Sequence, residues 1–433
     1  MTRQRIIAGI DVGSSKTVTI LASSSDGEEE LKVIGVASVP SKGIRKGQIV
    51  NIEEASESVL ASVEAAERMA GYSIGRALVS IGGAHLASQN SKGMVAVAEP
   101  EGEIAPSDVE RVIEAARAVS LPSSREIIHV IPRDFTVDGQ EGIKDPVGMS
   151  GIRLEVEAHI ITGSATAMKN LAKCVAEVGV DVKNLVATGL ASAETVLTET
   201  EKELGVILLD IGGGTTNIVI FVEGSPFYVT VLPIGAKNVT NDLAIGLRLS
   251  LESAEKIKIA LSTKPKLPAI ADEEEKTESE KEKEEIDLSE LGVNEEQRTV
   301  SRKTLVEGII RPRLNEIFTM VAAEIKKSGA GGLTPAGVVI CGGGAQTVGL
   351  VEAAKRILSM PVRIGCPQKI SGLIDDVQSP EFATGVGLIL YGSKVEAATE
   401  TGISLGGISK RLPKIPLRGV VGKVIDVVKS FLP

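Results

Sequence analysis

Residues 206–222 read Val-Ile-Leu-Leu-Asp-Ile-Gly-Gly-Gly-Thr-Thr-Asn-Ile-Val-Ile-Phe-Val, and this stretch limits the possible folds more than any other. Its first four residues are an apolar run short enough for a buried strand. Asp210 closes the run, Gly212, Gly213, Gly214, Thr215 and Thr216 follow, and residues 218–222 form a second, β-branched run. Two strands joined by three glycines make a hairpin whose turn carries no side-chain bulk. Bare backbone N–H groups in such a turn can close on an anion. Asp210, at the strand end, can face a metal ion bound to that anion.

The same grammar recurs at the N-terminus. Residues 6–10 are apolar, Asp11 ends them, Gly13-Ser14-Ser15-Lys16 makes the turn, and residues 18–21 leave it. Asp11 and Asp210 therefore hold equivalent places in two copies of one hairpin. A third glycine turn, Gly342-Gly343-Gly344, follows the apolar residues 338–341 and precedes a helix-like stretch over 350–358. One glycine turn alone is weak evidence, because glycine often only punctuates a chain. Two Asp-Gly hairpins and a strand–glycine–helix unit, in this order, are far more specific.

The arrangement resembles the actin-like ATPase superfamily, in which two hairpins clamp the phosphates and a third turn lies against the adenosine. The likeness sharpens in residues 129–154, His-Val-Ile-Pro-Arg-Asp-Phe-Thr-Val-Asp-Gly-Gln-Glu-Gly-Ile-Lys-Asp-Pro-Val-Gly-Met-Ser-Gly-Ile-Arg-Leu, which look like the signature of the FtsA family of bacterial cell-division proteins. It extends over nearly the whole chain. The resemblance implies an α/β, two-lobed, duplicated ribonuclease H-like fold of the actin type. ATP and Mg²⁺ are the cofactors it implies. Gly13, Ser14, Ser15 and Lys16 would hold phosphate with Gly212, Gly213, Gly214, Thr215 and Thr216; Asp11 and Asp210 would orient Mg²⁺ through water. Gly342, Gly343, Gly344, Glu255 and Lys258 would border the adenosine. A Glu and a Lys three apart on an exposed helix are commonplace, so those two rest on the resemblance alone.

At 433 residues the chain is expected to form two to three domains of roughly 150 residues each. Hydrophobic residues make up 43% and aromatics only 2%, with no Trp, so the cores must be aliphatic. The net charge of −10 argues against nucleic acid as a partner. Cys174, Cys341 and Cys366 lack metal-ligand spacing and read as reduced thiols. His85, His129 and His159 stand alone and read as structural. No apolar stretch reaches the roughly 18 residues needed to span a bilayer.

The family pattern divides the chain into four subdomains. Residues 1–83, 164–203 and 380–395 form 1A, and residues 84–163 form the inserted 1C. Residues 204–237 with 332–379 form 2A, and residues 238–331 form 2B. Within 2B, residues 271–287 are an acidic low-complexity block expected to be a disordered or loosely helical surface loop. An amphipathic helix is expected over residues 305–327, bent at Pro312. In the family this region docks the C-terminal tail of FtsZ, and Arg302, Lys303, Arg311 and Arg313 suit an acidic peptide. Subdomain 1C serves protofilament contacts and the recruitment of later division proteins.

One position departs from the strong hydrolases of the superfamily. Thr188 aligns where they carry a Glu that positions the attacking water. A hydroxyl lacks the matched pKa that proton transfer requires, so weak or negligible ATP hydrolysis is expected.

Residues 396–416 read as a linker, and residues 417–433 as a membrane-targeting amphipathic helix. At about 100° per residue, Leu417, Val420, Val421, Val424, Ile425, Val427, Val428, Phe431 and Leu432 fall on one side. Lys423 and Lys429 fall on the other with the remaining polar residues. Such a helix lays its apolar face into the acyl boundary while cations meet anionic lipid. The reading is an ATP-binding filament protein that tethers FtsZ to the cytoplasmic face of the bacterial membrane at the division site. Its alternatives are a PilM-type pilus-assembly homologue and an active ATPase of the chaperone or sugar-kinase type.

Overall fold

The computed structural model describes residues 5–24, 31–98, 102–263, 285–288 and 299–400. Two mixed sheets carry the architecture. The first has six strands in the order Asp181–Ala187, Arg76–Ile81, Arg5–Val12, Lys16–Ser24, Leu31–Pro40, Ile370–Gly372. The second begins with Val362–Ile364, Val338–Cys341, Val206–Ile211, Thr216–Val222 and Ser225–Leu232. Both contain an antiparallel hairpin flanked by a parallel strand on one side and an antiparallel third strand on the other. One half-fold is thus built twice.

Val206–Ile211 is buried along its whole length, as an apolar run covered on both faces must be. On one face of the first sheet lie the helices Ile52–Ala70 and Ala165–Glu177. Asn51 caps the former, its side chain accepting from the Glu54 amide, and Gly71 ends it at φ 70°. The corresponding face of the second sheet packs on Ala236–Leu247, Leu251–Thr263, Arg311–Ser328 and Leu350–Leu358. Between the two sheets lie two crossing helices, Thr188–Val196 and Ala383–Glu400. They approach so closely at Gly387 that a Cβ there would stand 1.8 Å from the Ala191 carbonyl oxygen. The second helix runs to Glu400, five residues into the stretch read as linker.

The insertion over 84–163 holds a strand that periodicity did not reveal, Ala87–Ala96, beside Arg153–Ser164, Arg125–Val137 and Gln140–Ile143. Its helix Pro106–Arg117 crosses close to Gly93, where a Cβ would meet the Val112 carbonyl at 2.3 Å. These four strands extend the second sheet to nine, because Ala87 pairs with Thr230. The Ser88 hydroxyl reinforces the seam by bonding both backbone groups of Val229.

The expected helix over 305–327 is continuous but changes pitch just before its Pro. A π-helical turn, Thr304–Ile310, runs into Arg311–Ser328 through helical backbone at Ile310 and Arg311, and Pro312 lies in the first α-helical turn. The acidic block 271–287 lies outside the described residues except for its end. There Glu285–Asp287 forms a strand against Thr299–Ser301, and Ile286 is buried, which corrects the expectation of a surface loop for those three residues. The amphipathic segment 417–433 lies outside the described residues. Among the described residues no helix is long and apolar enough to cross a membrane.

Candidate functional site

The two hairpins meet tip to tip between the lobes. In the first, Val12 pairs with Thr17 and the Gly13 amide donates to the Lys16 carbonyl. In the second, Ile211 pairs with Thr216 and the Gly212 amide donates to the Thr215 carbonyl. The turns therefore correspond residue for residue, Gly13-Ser14-Ser15-Lys16 to Gly212-Gly213-Gly214-Thr215. The glycines are demanded by proximity. A Cβ on Gly213 would lie 1.8 Å from Ser15 Oγ, and one on Gly214 would lie 2.9 Å from Ser14 Oγ.

Asp11 and Asp210 stand at matching strand ends behind the turns. The Ser80 hydroxyl donates to Asp11 Oδ1 at 2.6 Å. Ser192 and Thr384, one from each crossing helix, bond Asp210 Oδ2 at 2.9 and 3.2 Å. Sequence reasoning missed all three hydroxyls, which come from distant segments and carry no local signal. Burial is the main cause that pushes the Asp11 carboxyl above its ordinary range, against the Ser80 hydrogen bond and the Lys16 charge. Asp210 is pushed up to about 6, first by burial and then by the Asp11 charge. Two carboxylates at matching strand ends, Asp210 buried and Asp11 half-buried, form a donor set for a hard divalent cation. No cluster of three ligating side chains exists among the described residues. Coordination would therefore be completed by water and phosphate, as Mg²⁺ commonly accepts.

The third turn closes the site from the second lobe. Gly342, at φ 81°, passes so close that a Cβ would meet Asp210 Oδ1 at 2.4 Å. A Cβ on Gly344 would meet Ile211 Cγ2 at 2.6 Å, whereas one on Gly343 has only Glu381 Cβ at 3.7 Å. Space thus remains beside Gly343. Lys16 pairs with Glu381 at 2.8 Å and lies 4.1 Å from the centre of the Phe382 ring. Glu255 and Lys258, on the helix Leu251–Thr263, sit together against the start of helix Ala236–Leu247. The buried Lys258 Nζ donates to Glu255 Oε2 at 2.7 Å and to Thr240 Oγ1 at 2.9 Å. Thr188 opens its helix, and its Oγ1 lies 3.1 Å from the position a Gly82 Cβ would take. Gly82, Val12, Ser80, His85 and the 44–49 hairpin line a small cavity in the first lobe.

Three of the four basic residues read as a peptide face are engaged within the second lobe. Arg313 forks onto Asp242 at 2.5 and 2.8 Å, Arg311 pairs with Glu307, and Arg302 donates to the Leu261 carbonyl.

A family model described as "SHS2 domain inserted in FTSA" matches residues 83–162, and one described as "Cell division protein FtsA" matches residues 207–387. The cell division protein FtsA of Pseudomonas aeruginosa is 41% identical over 415 residues, covering 95% of each chain. The chain belongs to the FtsA family. FtsA of Borreliella burgdorferi is 41% identical over 388 residues, 90% of this chain and 91% of its own. That of Escherichia coli (strain K12) is 35% identical over 425 residues, 95% of this chain and 97% of its own. Among solved structures, the PilM–PilN type IV pilus biogenesis complex aligns with TM-score 0.60 at 16% identity, covering 89% of this chain and 98% of that one. MreB5 of Spiroplasma citri bound to ADP aligns with TM-score 0.50 at 14% identity, covering 93% and 99%. The fold is therefore actin-like, with the insertion that marks FtsA proteins.

Proposed function

We propose that this cell-division protein binds Mg-ATP between its lobes, stacks into actin-like protofilaments, and tethers FtsZ filaments to the cytoplasmic face of the membrane at the septum. The observation that carries the nucleotide part is the pair of aspartates, Asp11 half-buried and Asp210 buried, behind two turns closed by the same hydrogen bond. Their oxygens suit the water shell of Mg²⁺, and backbone N–H groups of residues 13–16 and 212–216 suit phosphate. When bound, Mg²⁺ would neutralise phosphate charge and draw the two lobes onto one ligand. Gly342, Gly343 and Gly344, with Glu255 and Lys258, border the adenosine in this reading.

The subdomain divisions stated above are part of the proposal. The tethering role rests on residues 417–433, whose apolar and cationic faces segregate completely. It also rests on 2B as the dock for the FtsZ tail and on 1C as the contact for later division proteins. With Arg302, Arg311 and Arg313 engaged internally, the 2B dock must draw on other residues or re-pair these on binding. The test is co-sedimentation with anionic liposomes, with and without ATP, FtsZ and residues 417–433. Liposome binding should depend on the segment, and FtsZ should follow only when it is present. Binding that survives its removal overturns the tether.

The PilM-type alternative has only the shared fold behind it, and the FtsA family membership speaks against it. Pull-down with an FtsZ tail peptide tests the FtsA-type role directly.

A further inference from the structure

Helix Ala236–Leu247 begins in the wrong charge state for its place. A helix N-terminus is electropositive and ordinarily carries acids in its first turn. This first turn has none and holds Lys237 instead. The helix start is also pinned onto the second phosphate turn. Ala236 and Lys237 donate their amides to the Gly212 and Gly213 carbonyls at 2.9 and 2.8 Å. The Lys237 side chain then crosses the cleft, and Nζ donates to the Ser14 carbonyl at 2.6 Å. Ser14 is itself held from its own lobe, its Oγ accepting from the Gly47 amide at 2.8 Å. No carboxylate pairs with Lys237 among the described residues. The nearby acid, Glu255, is already bonded to Lys258 and Thr240.

An exposed cation whose hydrogen-bond partner is a neutral carbonyl, at the positive end of a helix and between two turns that carry no acidic side chain, leaves this corner of the cleft short of negative charge. We infer that Lys237 is a phosphate ligand that doubles as a latch. In the empty cleft it ties the second lobe to the first turn, keeping Ser14 and Ser15 in contact with Gly213 and Gly214. A nucleoside polyphosphate entering between the turns takes the ammonium over from the Ser14 carbonyl, so the latch opens as the ligand is gripped. The inference rests on the Mg-ATP reading and adds a residue that none of the glycine turns contains.

The test compares unaltered chain with Lys237→Met and Lys237→Arg by calorimetric titration of Mg-ATP and of adenosine. Loss of one charge-assisted hydrogen bond to phosphate should weaken Mg-ATP about 10- to 100-fold. It should leave adenosine unchanged and lower the salt dependence of Mg-ATP binding, with Arg restoring most of the affinity. Without ligand, Lys237→Met should speed hydrogen exchange at the Gly212–Thr215 amides. Mg-ATP affinity within two-fold of the unaltered chain for Lys237→Met overturns the inference alone. Failure of the unaltered chain to bind Mg-ATP overturns the nucleotide reading beneath it, and the inference with it.

Discussion

Substituting Gly387 by Ala tests the close crossing of the two helices between the sheets. The added Cβ would lie 1.8 Å from the Ala191 carbonyl oxygen and 2.4 Å from its carbon, where real Cβ contacts stay beyond 3.0 Å. The obstacle is backbone, so no side chain can swing aside, and the crossing helices must separate by more than an ångström. Val386, Leu388 and Ile389 beside it are fully buried and lose contact as the gap opens. Overpacking of this kind costs about 1–3 kcal/mol, occasionally more. In an exposed helix the same change would stabilise by about 1 kcal/mol through helix propensity. The sign of the effect is therefore diagnostic. We expect Gly387→Ala to lower the unfolding free energy by about 2 kcal/mol, the upper end of the overpacking cost less the propensity gain. Gly385→Ala is the control. Its Cβ would meet only the end of the Ile20 side chain at 2.9 Å, so it should stay near neutral. With no Trp in the sequence, urea unfolding is best followed by far-ultraviolet circular dichroism. A Gly387→Ala midpoint at or above that of the unaltered chain refutes the close-crossing argument, as does an equal loss for Gly385→Ala.

Acid stability follows from three buried groups. Burial lowers His129 to about 4 and His159 to about 3, from an ordinary 6.5. Below pH 6.5 the unfolded chain takes protons that the native one refuses, and stability falls by about 3 kcal/mol or more per histidine by pH 3. Asp210 acts with the opposite sign. Its native carboxyl, near 6 against 3.8 unfolded, protonates first, so it returns about 3 kcal/mol as pH falls from 6 to below 4. In metal-free buffer Asp210→Asn should therefore steepen the acid loss between pH 6 and 4, read by urea unfolding at each pH. In calorimetry, Asp11→Asn and Asp210→Asn should each remove most of the advantage of Mg-ATP over ATP with chelator, about ten-fold or more. Phosphate release by the unaltered chain should be slow, well under one turnover per second, because Thr188 offers no base. A rate of tens per second would overturn that role for Thr188.

What could be read from the sequence was set by chemistry that stays local. The hairpins announce themselves because an apolar run, an Asp and a bare turn are contiguous, and the duplication can be seen without any fold. The strand Ala87–Ala96 was invisible because only one of its faces is covered and its residues, Ala-Ser-Gln-Asn-Ser-Lys-Gly-Met-Val-Ala, show little apolar alternation. The hydroxyls on Asp11 and Asp210 come from residues 80, 192 and 384, and only tertiary folding brings them there. Lys237 was hidden for a subtler reason. It lies in the first turn of the helix Ala236–Leu247, and its oddity appears only when the helix start and the opposing turn are seen together.

The seam between Ala87 and Thr230 has a mechanical consequence. By covalent connection the insertion hangs from the first lobe, at residues 83 and 164, and His129 accepts from the Ala187 amide there at 3.0 Å, while its sheet continues that of the second lobe. Lys144, which reaches the Glu223 carbonyl at 3.0 Å, and Arg133, whose guanidinium lies 5.0 Å from the centre of the Phe227 ring, brace it on that same side. The insertion is thus a strap across both lobes, and any swing of one against the other would have to break its hydrogen bonds on one side.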